Sequence, residues 1–260
     1  MRLRVIDQGE DTPLASHAVP YGIAAAMAAE DEPVLTLSTA ATPYVSIGAS
    51  QDFEREIDAA CPIPVLRREV GGGVVLIDRD QLYFHVVFPH SLVPVGSDRL
   101  FAHVAAPVVA TYAGLGIAAA YAAQEIQADG RKLGAMAAAE IGEAMVVAGS
   151  FLFDFDRALF ARSLRLEKEM DRSMLRQNLA ARIATMRDLL SLLPARRQVR
   201  DLFVRHAAEA FGCSPAETGL RSPESAAVAE ASIRHADPGW IRWREGRRGG
   251  ERRGHIIENQ

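Results

Sequence analysis

The sequence predicts an α+β fold, a mostly antiparallel sheet flanked by helices. Three observations carry that expectation. Short apolar or alternating runs bounded by turn residues dominate residues 1–155, the pattern of strands. From 156 to 211 the spacing turns helical, with Leu189, Leu190 and Leu193, then Val199, Leu202, Phe203 and His206. Strands and helices gathered into separate stretches argue against a doubly wound parallel sheet, which alternates them.

In order along the chain, Arg2–Val5 alternates and reads as a short strand. Ser16 is a candidate N-cap for a helix to about Ala29, broken or bent near Pro20 and Gly22. Val34–Leu37, Tyr44–Ile47 and Ile63–Leu66 read as strands, and Asp52–Ala60 has a helical rhythm. Gly71-Gly72-Gly73 separates the third of these strands from Val74–Ile77, and Leu82–Phe88 follows, ended by Pro89. Ser97 to about Gly114 reads as a helix, with Ser97 as N-cap and Gly114 as stop. Ile117–Tyr121, Lys132–Ala139 and Met145–Phe155 read as strands, the last two joined at Glu140–Glu143. Pro194 divides two helices, and from Cys213 the pattern weakens.

Composition bounds the function. The chain has 260 residues, 49% hydrophobic and 24% charged, an ordinary globular balance. A net charge of −4 supplies no global basic field, so nucleic acid is not expected as a partner. Cys61 and Cys213 are too few for a disulfide framework or a metal cage, which suits a reduced cytoplasmic setting. The opening MRLRVIDQGE lacks the apolar core of a signal peptide. Residues 100–124 carry no Asp, Glu, Lys or Arg, but Pro107, Gly114, Gly116 and abundant alanine read as a buried helix and strand rather than a membrane span. The basic residues number 29, of which only Lys132 and Lys168 are lysines. A compact ammonium in an arginine-dominated chain marks a place where a planar fork does not serve.

Two segments carry candidate chemistry. In Arg67-Arg68-Glu69-Val70-Gly71-Gly72-Gly73, three glycines let main-chain N–H groups approach a phosphate or an adenylate closely, with arginines just upstream. The bland alternative is a flexible hairpin turn with its arginines in water. No Gly-Lys-Ser/Thr follows and the next element is a strand, so neither a Walker loop nor a dinucleotide fingerprint is present. In Gly130-Arg131-Lys132-Leu133-Gly134-Ala135-Met136-Ala137 the rare lysine opens an uncharged strand, where it must meet an anion or lose its proton. Its bland alternative is a surface lysine in a turn. His85, His103, Trp240 and Trp243 read as packing residues, and the arginine-rich 244–255 as a solvated terminus.

Taken together, R-R-x-x-G-G-G, then G-R-K-L-G about 60 residues on, then the apolar strand ending Phe151-Leu-Phe-Asp-Phe-Asp156, resemble the lipoate–protein ligase family. That family groups with biotin–protein ligases and octanoyltransferases. Tyr44-Val45-Ser46-Ile47-Gly48 and Asp78 add to the resemblance, which covers about residues 20–212. It implies a biotin/lipoate ligase-like catalytic domain over 1–212, with 213–260 a short C-terminal extension rather than a full accessory domain.

It also implies an ATP-dependent reaction in which lipoate and ATP form lipoyl-adenylate, and the lipoyl group passes to a lysine of a carrier domain. Lys132 is then the catalytic cation. Gly71, Gly72, Gly73, Asp78, Gly134 and Ala135 lie against the adenylate, Arg68 contacts nucleotide phosphate, and Gln124 and Glu125 match a nucleotide-contacting pair. No protein metal site is implied; Mg²⁺ comes with ATP, with Glu125 as a candidate contact. A separate accessory subunit is an implied partner, and a membrane is not.

The sequence departs from the family pattern at Val70, Ile77, Asp80-Gln81, Gln124-Glu125, Ala135 and Ala148-Gly149-Ser150. Two other readings therefore stand beside the ligase. One is an octanoyl or lipoyl transferase working through a cysteine thioester, although neither cysteine falls between Lys132 and the following helices. The other is a non-catalytic relative that binds acyl groups or their carriers.

Overall fold

The structure is a computed structural model and describes residues 1–122, 125–166 and 171–243, together with the backbone of 256–257. In chain order the elements are β1 (Arg2–Asp11), α1 (Pro13–Ala26), β2 (Val34–Ala40), β3 (Tyr44–Ile47), α2 (Phe53–Glu56), β4 (Val65–Arg67), β5 (Val75–Ile77) and β6 (Gln81–Pro89). Then come α3 (Ser97–Gly114), β7 (Ala120–Ala122), β8 (Glu125–Ala128), β9 (Arg131–Ile141), β10 (Ala144–Leu152), α4 (Arg157–Ser163), α5 (Arg172–Arg182) and α6 (Met186–Leu189). The last are α7 (Arg196–Ala210), β11 (Ser214–Glu217), α8 (Ser222–Ala236), α9 (Pro238–Ile241) and β12 (Ile256–Ile257).

The main sheet runs β11-β1-β2-β6-β10-β9-β8-β7, with β12 beside β9. Its pairs are antiparallel except β11 with β1 and β1 with β2. A second, three-stranded sheet runs β4-β3-β5. The expected fold class is therefore the observed one.

Every residue of β6 is buried, and its alternation divides the interior. Leu82, Phe84, Val86 and Phe88 enter one core with Phe101, Val104 and Tyr112 of α3 and Phe203 of α7. Tyr83 and Val87 enter another with Tyr21 and Ile23 of α1 and with Tyr44, Leu66 and Ile77 of the small sheet. The small sheet thus packs on the α1 side, and the glycine loop between β4 and β5 inherits that position.

Several boundaries move. Pro20 and Gly22 lie inside one helix and do not break it. Thr12 is its N-cap, accepting from Ala15 N at 3.2 Å, and Pro13 occupies the first turn, where its missing N–H costs nothing. At Gly22 α8 comes so close that a Cβ there would sit 2.5 Å from Val228 Cα. The uncharged stretch from Leu100 forms most of α3 and then β7, and among the described residues no helix is long and apolar enough to cross a membrane.

The weakly patterned residues from 213 onward are part of the same packed body as far as Trp243. β11 adds an edge strand parallel to β1, and α8 lies along α1. The carboxylate of Glu224 pairs in the interior with Arg4. The packed face of α8 carries the half-buried Ala227, Val228 and Ala231, whereas Ala226 and Ala229 are exposed. Small side chains permit that close approach and also leave little hydrophobic signal to read. The arginine-rich 244–255 lies outside the described residues.

Three histidines are buried between α1, the main sheet and α8. Burial pushes His85 down to about 3 and His235 to about 4; His17 is also held well below its ordinary value by burial, with His235, His85 and Arg68 adding repulsion. The unfolded chain takes up these protons near pH 6.5 and the folded chain does not. Stability is therefore full above pH 6.5 and falls as the pH drops toward 4, by up to about 1.4 kcal/mol per pH unit for each histidine. Urea midpoints at pH 7.5, 6 and 5 should fall steeply, and His85→Gln should flatten the slope by about one proton; a pH-independent midpoint would contradict this account.

Candidate active site

Strands β4 and β5 do not pair with each other. Both pair with β3, β4 parallel on one edge and β5 antiparallel on the other. The glycine loop, residues 68–74, therefore crosses the end of β3 instead of closing a hairpin. Gly48, just beyond β3, lies under it so closely that a Cβ there would sit 2.0 Å from Gly72 O. Gly72 itself has φ +86°, a region that favours glycine, and its own Cβ would lie 3.2 Å from the Arg68 guanidinium.

Arg68 is 4% exposed. Its guanidinium donates to the carbonyls of Ser46 (2.8 Å), Gly71 (2.8 and 3.1 Å) and Gly73 (2.6 Å). In this structure its donors go to the main chain, where three buried or half-buried carbonyls compensate a desolvated cation. The consequence for the loop is indirect and larger. Carbonyls drawn inward at Gly71 and Gly73 turn the next N–H of each trans peptide the other way. The N–H groups of Gly72, Gly73 and Val74 have no acceptor among the described residues, and Gly72 and Gly73 are exposed. A run of free N–H groups of this kind suits an anion.

The loop forms one wall of a cavity of about 470 Å³. The opposite wall comes from β9 and β10, at Lys132, Gly134, Ala135, Ala137 and Gly149. Leu76, Phe155, Phe160 and Ile183 add an apolar end. Lys132 stands at the polar end with its Nζ 2.7 Å from Glu125 Oε1, both side chains about one-third exposed. The strand that carries it is held on two sides. Gln127 of β8 pairs with Lys132, with Leu133 bulged out before Gly134 meets Ile126; on the other side Ala184 N donates to Lys132 O at 2.9 Å. Bulges of this kind redirect a side chain at the rim of a sheet. Lys132 has thus met an anion rather than solvent alone.

Of the residues expected here, the structure brings Arg68, Gly72, Gly73, Glu125, Lys132, Gly134 and Ala135 to one cavity. Gly71 lies behind it, buried, with its carbonyl on Arg68. Asp78 is not part of the lining. It is 6% exposed in the turn between β5 and β6, where it accepts from Asp80 N at 2.9 Å, and burial pushes its carboxyl up to about 6. Gln124 lies outside the described residues. The sequence missed Phe155, Phe160 and Ile183 as wall residues, because an apolar side chain facing a cavity is spelled like one facing a core. Among the described residues no three His, Cys, Asp or Glu groups gather to hold a metal ion by themselves.

The contact between Gly48 and Gly72 gives a test of this geometry. Gly48→Ala must move backbone against backbone, so it should cost at least about 2 kcal/mol in urea unfolding. Gly73→Ala, where nothing lies within 4 Å of the added carbon, should cost less. Equal costs would show that the loop does not rest on Gly48.

The model of the lipoyl protein ligase A/B catalytic domain matches residues 13–208. No curated protein matches the chain in sequence. Among solved structures, a bipartite lipoate protein ligase from Thermoplasma acidophilum superposes with a TM-score of 0.84 at 21% identity, over 93% of this chain and 96% of that one. A lipoate–protein ligase A bound with ATP gives 0.79 at 21% identity, over 93% and 99%. LipL1 of P. falciparum, in complex with lipoate, gives 0.72 at 12% identity, over 93% and 74%. At these identities the superpositions speak to fold. The domain match takes in the glycine loop, Lys132 and both walls of the cavity, and on it the chain belongs to the lipoyl protein ligase A/B catalytic domain family.

Proposed function

We propose that the protein is an ATP-dependent lipoate–protein ligase, which makes lipoyl-adenylate and passes the lipoyl group to a lysine of a carrier domain. The observation that carries this reading is that Lys132 borders one cavity with Gly72 and Gly73, whose N–H groups have no acceptor among the described residues, and that the cavity's other end is apolar. An acyl-adenylate has the same division, an apolar chain joined to a phosphate. The solved relatives described with ATP, with lipoate and with an E2 lipoyl domain support each component of the reaction.

In the first step a carboxylate oxygen attacks the α-phosphorus and pyrophosphate leaves. In the second the amine of the carrier lysine attacks the acyl carbon and AMP leaves. Negative charge builds first on phosphate oxygens and then on the acyl oxygen, and one ammonium within reach of both lowers both barriers. In the resting protein that ammonium is neutralised by Glu125. The pair is partly exposed and is worth at most about 1 kcal/mol, so an incoming phosphate displaces it at small cost. Glu125, released, is a carboxylate at the cavity edge suited to contact Mg²⁺ arriving with the nucleotide, since that ion binds through one or two carboxylates and substrate phosphates. Mg²⁺ supplies charge neutralisation across the phosphates.

What favours a ligase over a cysteine transferase is the position of the thiols. Neither Cys61 nor Cys213 lines the cavity; their Sγ atoms lie against the carbonyls of Ile63 (3.4 Å) and Phe211 (3.3 Å), and burial pushes the Cys213 thiol up.

The test is lipoate-dependent exchange of labelled pyrophosphate into ATP, followed by transfer to an apo carrier domain, with and without a candidate accessory subunit. Lys132→Ala should lower exchange at least about 100-fold while moving stability by under about 1 kcal/mol. ATP-independent transfer from an acyl thioester, lost on Cys61→Ser or Cys213→Ser, would replace this reading with the transferase. Binding without turnover, even with the subunit added, would replace it with the non-catalytic relative.

A further inference from the structure

The residues that hold the glycine loop in place include a set from outside the matched domain. Arg67, the last residue of β4, is fully buried; the Asp52 charge acts on its guanidinium, and among the described residues the hydrogen bonds it makes there go to carbonyls. Its Nη1 donates to Gly48, Ala49 and Gln51 at 2.8–2.9 Å, and its Nη2 to Ile241 and Trp243 at 3.0 and 2.9 Å. The main-chain oxygen of the same residue accepts from His235 Nδ1 at 3.0 Å and Trp240 Nε1 at 3.1 Å. Two residues on, Glu69 pairs with Arg234 at 2.9 Å, and the Arg234 guanidinium lies 4.0 Å over the Trp240 ring.

Arg67 and Glu69 make contacts with α8 and α9 and are pinned there. Arg68, between them, turns instead to the carbonyls of Ser46, Gly71 and Gly73. We propose that residues 234–243 are the positioning element of the glycine loop, with Trp240, His235 and Arg234 as positioning residues that set Arg68, and through it the free N–H groups, from behind. Trp240, His235 and Arg234 do not line the cavity; they act through Arg67 and Glu69.

The test uses the whole chain and reads two quantities. The first is hydrogen exchange at the amides of Arg68 and Ala49, which donate to Ile47 O and Val70 O and report whether the ends of the loop stay docked. Trp240→Phe keeps a ring and removes one donor; Arg234→Met removes the pair with Glu69 and keeps the stem. Each should speed exchange at these two amides about fivefold, the ratio for one hydrogen bond of about 1 kcal/mol. Exchange in β10 should be unchanged. Ile233→Ser, on the solvent side of α8 at 76% exposure, should change neither.

The second quantity rests on the ligase reading: KM for ATP in pyrophosphate exchange should rise about fivefold in both variants, with kcat held. Unchanged exchange at Arg68 and Ala49 in the folded variants overturns the positioning role, as does the same change in Ile233→Ser. If the wild type turns over no ATP, the ligase reading fails and the exchange measurement still decides the positioning role.

Discussion

The site depends on the burial of the Arg68 guanidinium against main-chain carbonyls. A cation removed from water needs compensation, and here it comes from the oxygens of Ser46, Gly71 and Gly73 rather than from a carboxylate. A carboxylate would have neutralised the charge and left the loop free. Carbonyls are parts of the loop, so satisfying the cation also fixes the peptide planes. The N–H groups that a ligand would meet are oriented by a residue that need not touch the ligand at all.

Close backbone approach is the second constraint, and glycine makes it possible twice. Gly48 lets the end of β3 pass beneath Gly72, and Gly22 lets α1 lie against the backbone of α8. The first contact sets the height of the loop above the small sheet. The second brings α8 within reach of β4, so that His235 and Trp240 meet Arg67. A side chain at either place would separate the pieces that now support one another.

Lys132 and Glu125 hold charge in reserve. A partly exposed ion pair is weak, which is the property a displaceable counter-ion needs. The tightly held cations, Arg67 and Arg68, are buried with their guanidinium groups on main-chain carbonyls, although Arg68 also borders the cavity, whereas Lys132 is partly exposed there. Burial divides the three into two kinds of work that residue type alone does not distinguish, and the lysine is the one that solvent and ligand both reach.

Local signals in the sequence determined a good part of this protein. The helix Ser97–Gly114 was legible from its bounding residues, although Gly96 rather than Ser97 is its N-cap, and β6, β9 and β10 from short apolar or alternating runs, because those patterns are set by neighbours a few residues away. The glycine loop and Lys132 were legible as a pair because their residue types and order were unusual. Tertiary structure alone decided the rest: that β4 and β5 flank β3, that Arg68 turns inward, that Asp78 stays out of the cavity, and that the alanine-rich α8 braces the loop. The reason is physical. A periodic pattern states which face is apolar, but the acceptor that a buried donor meets depends on chain segments brought together from as far as 220 positions away, and nothing in the local sequence encodes that distance.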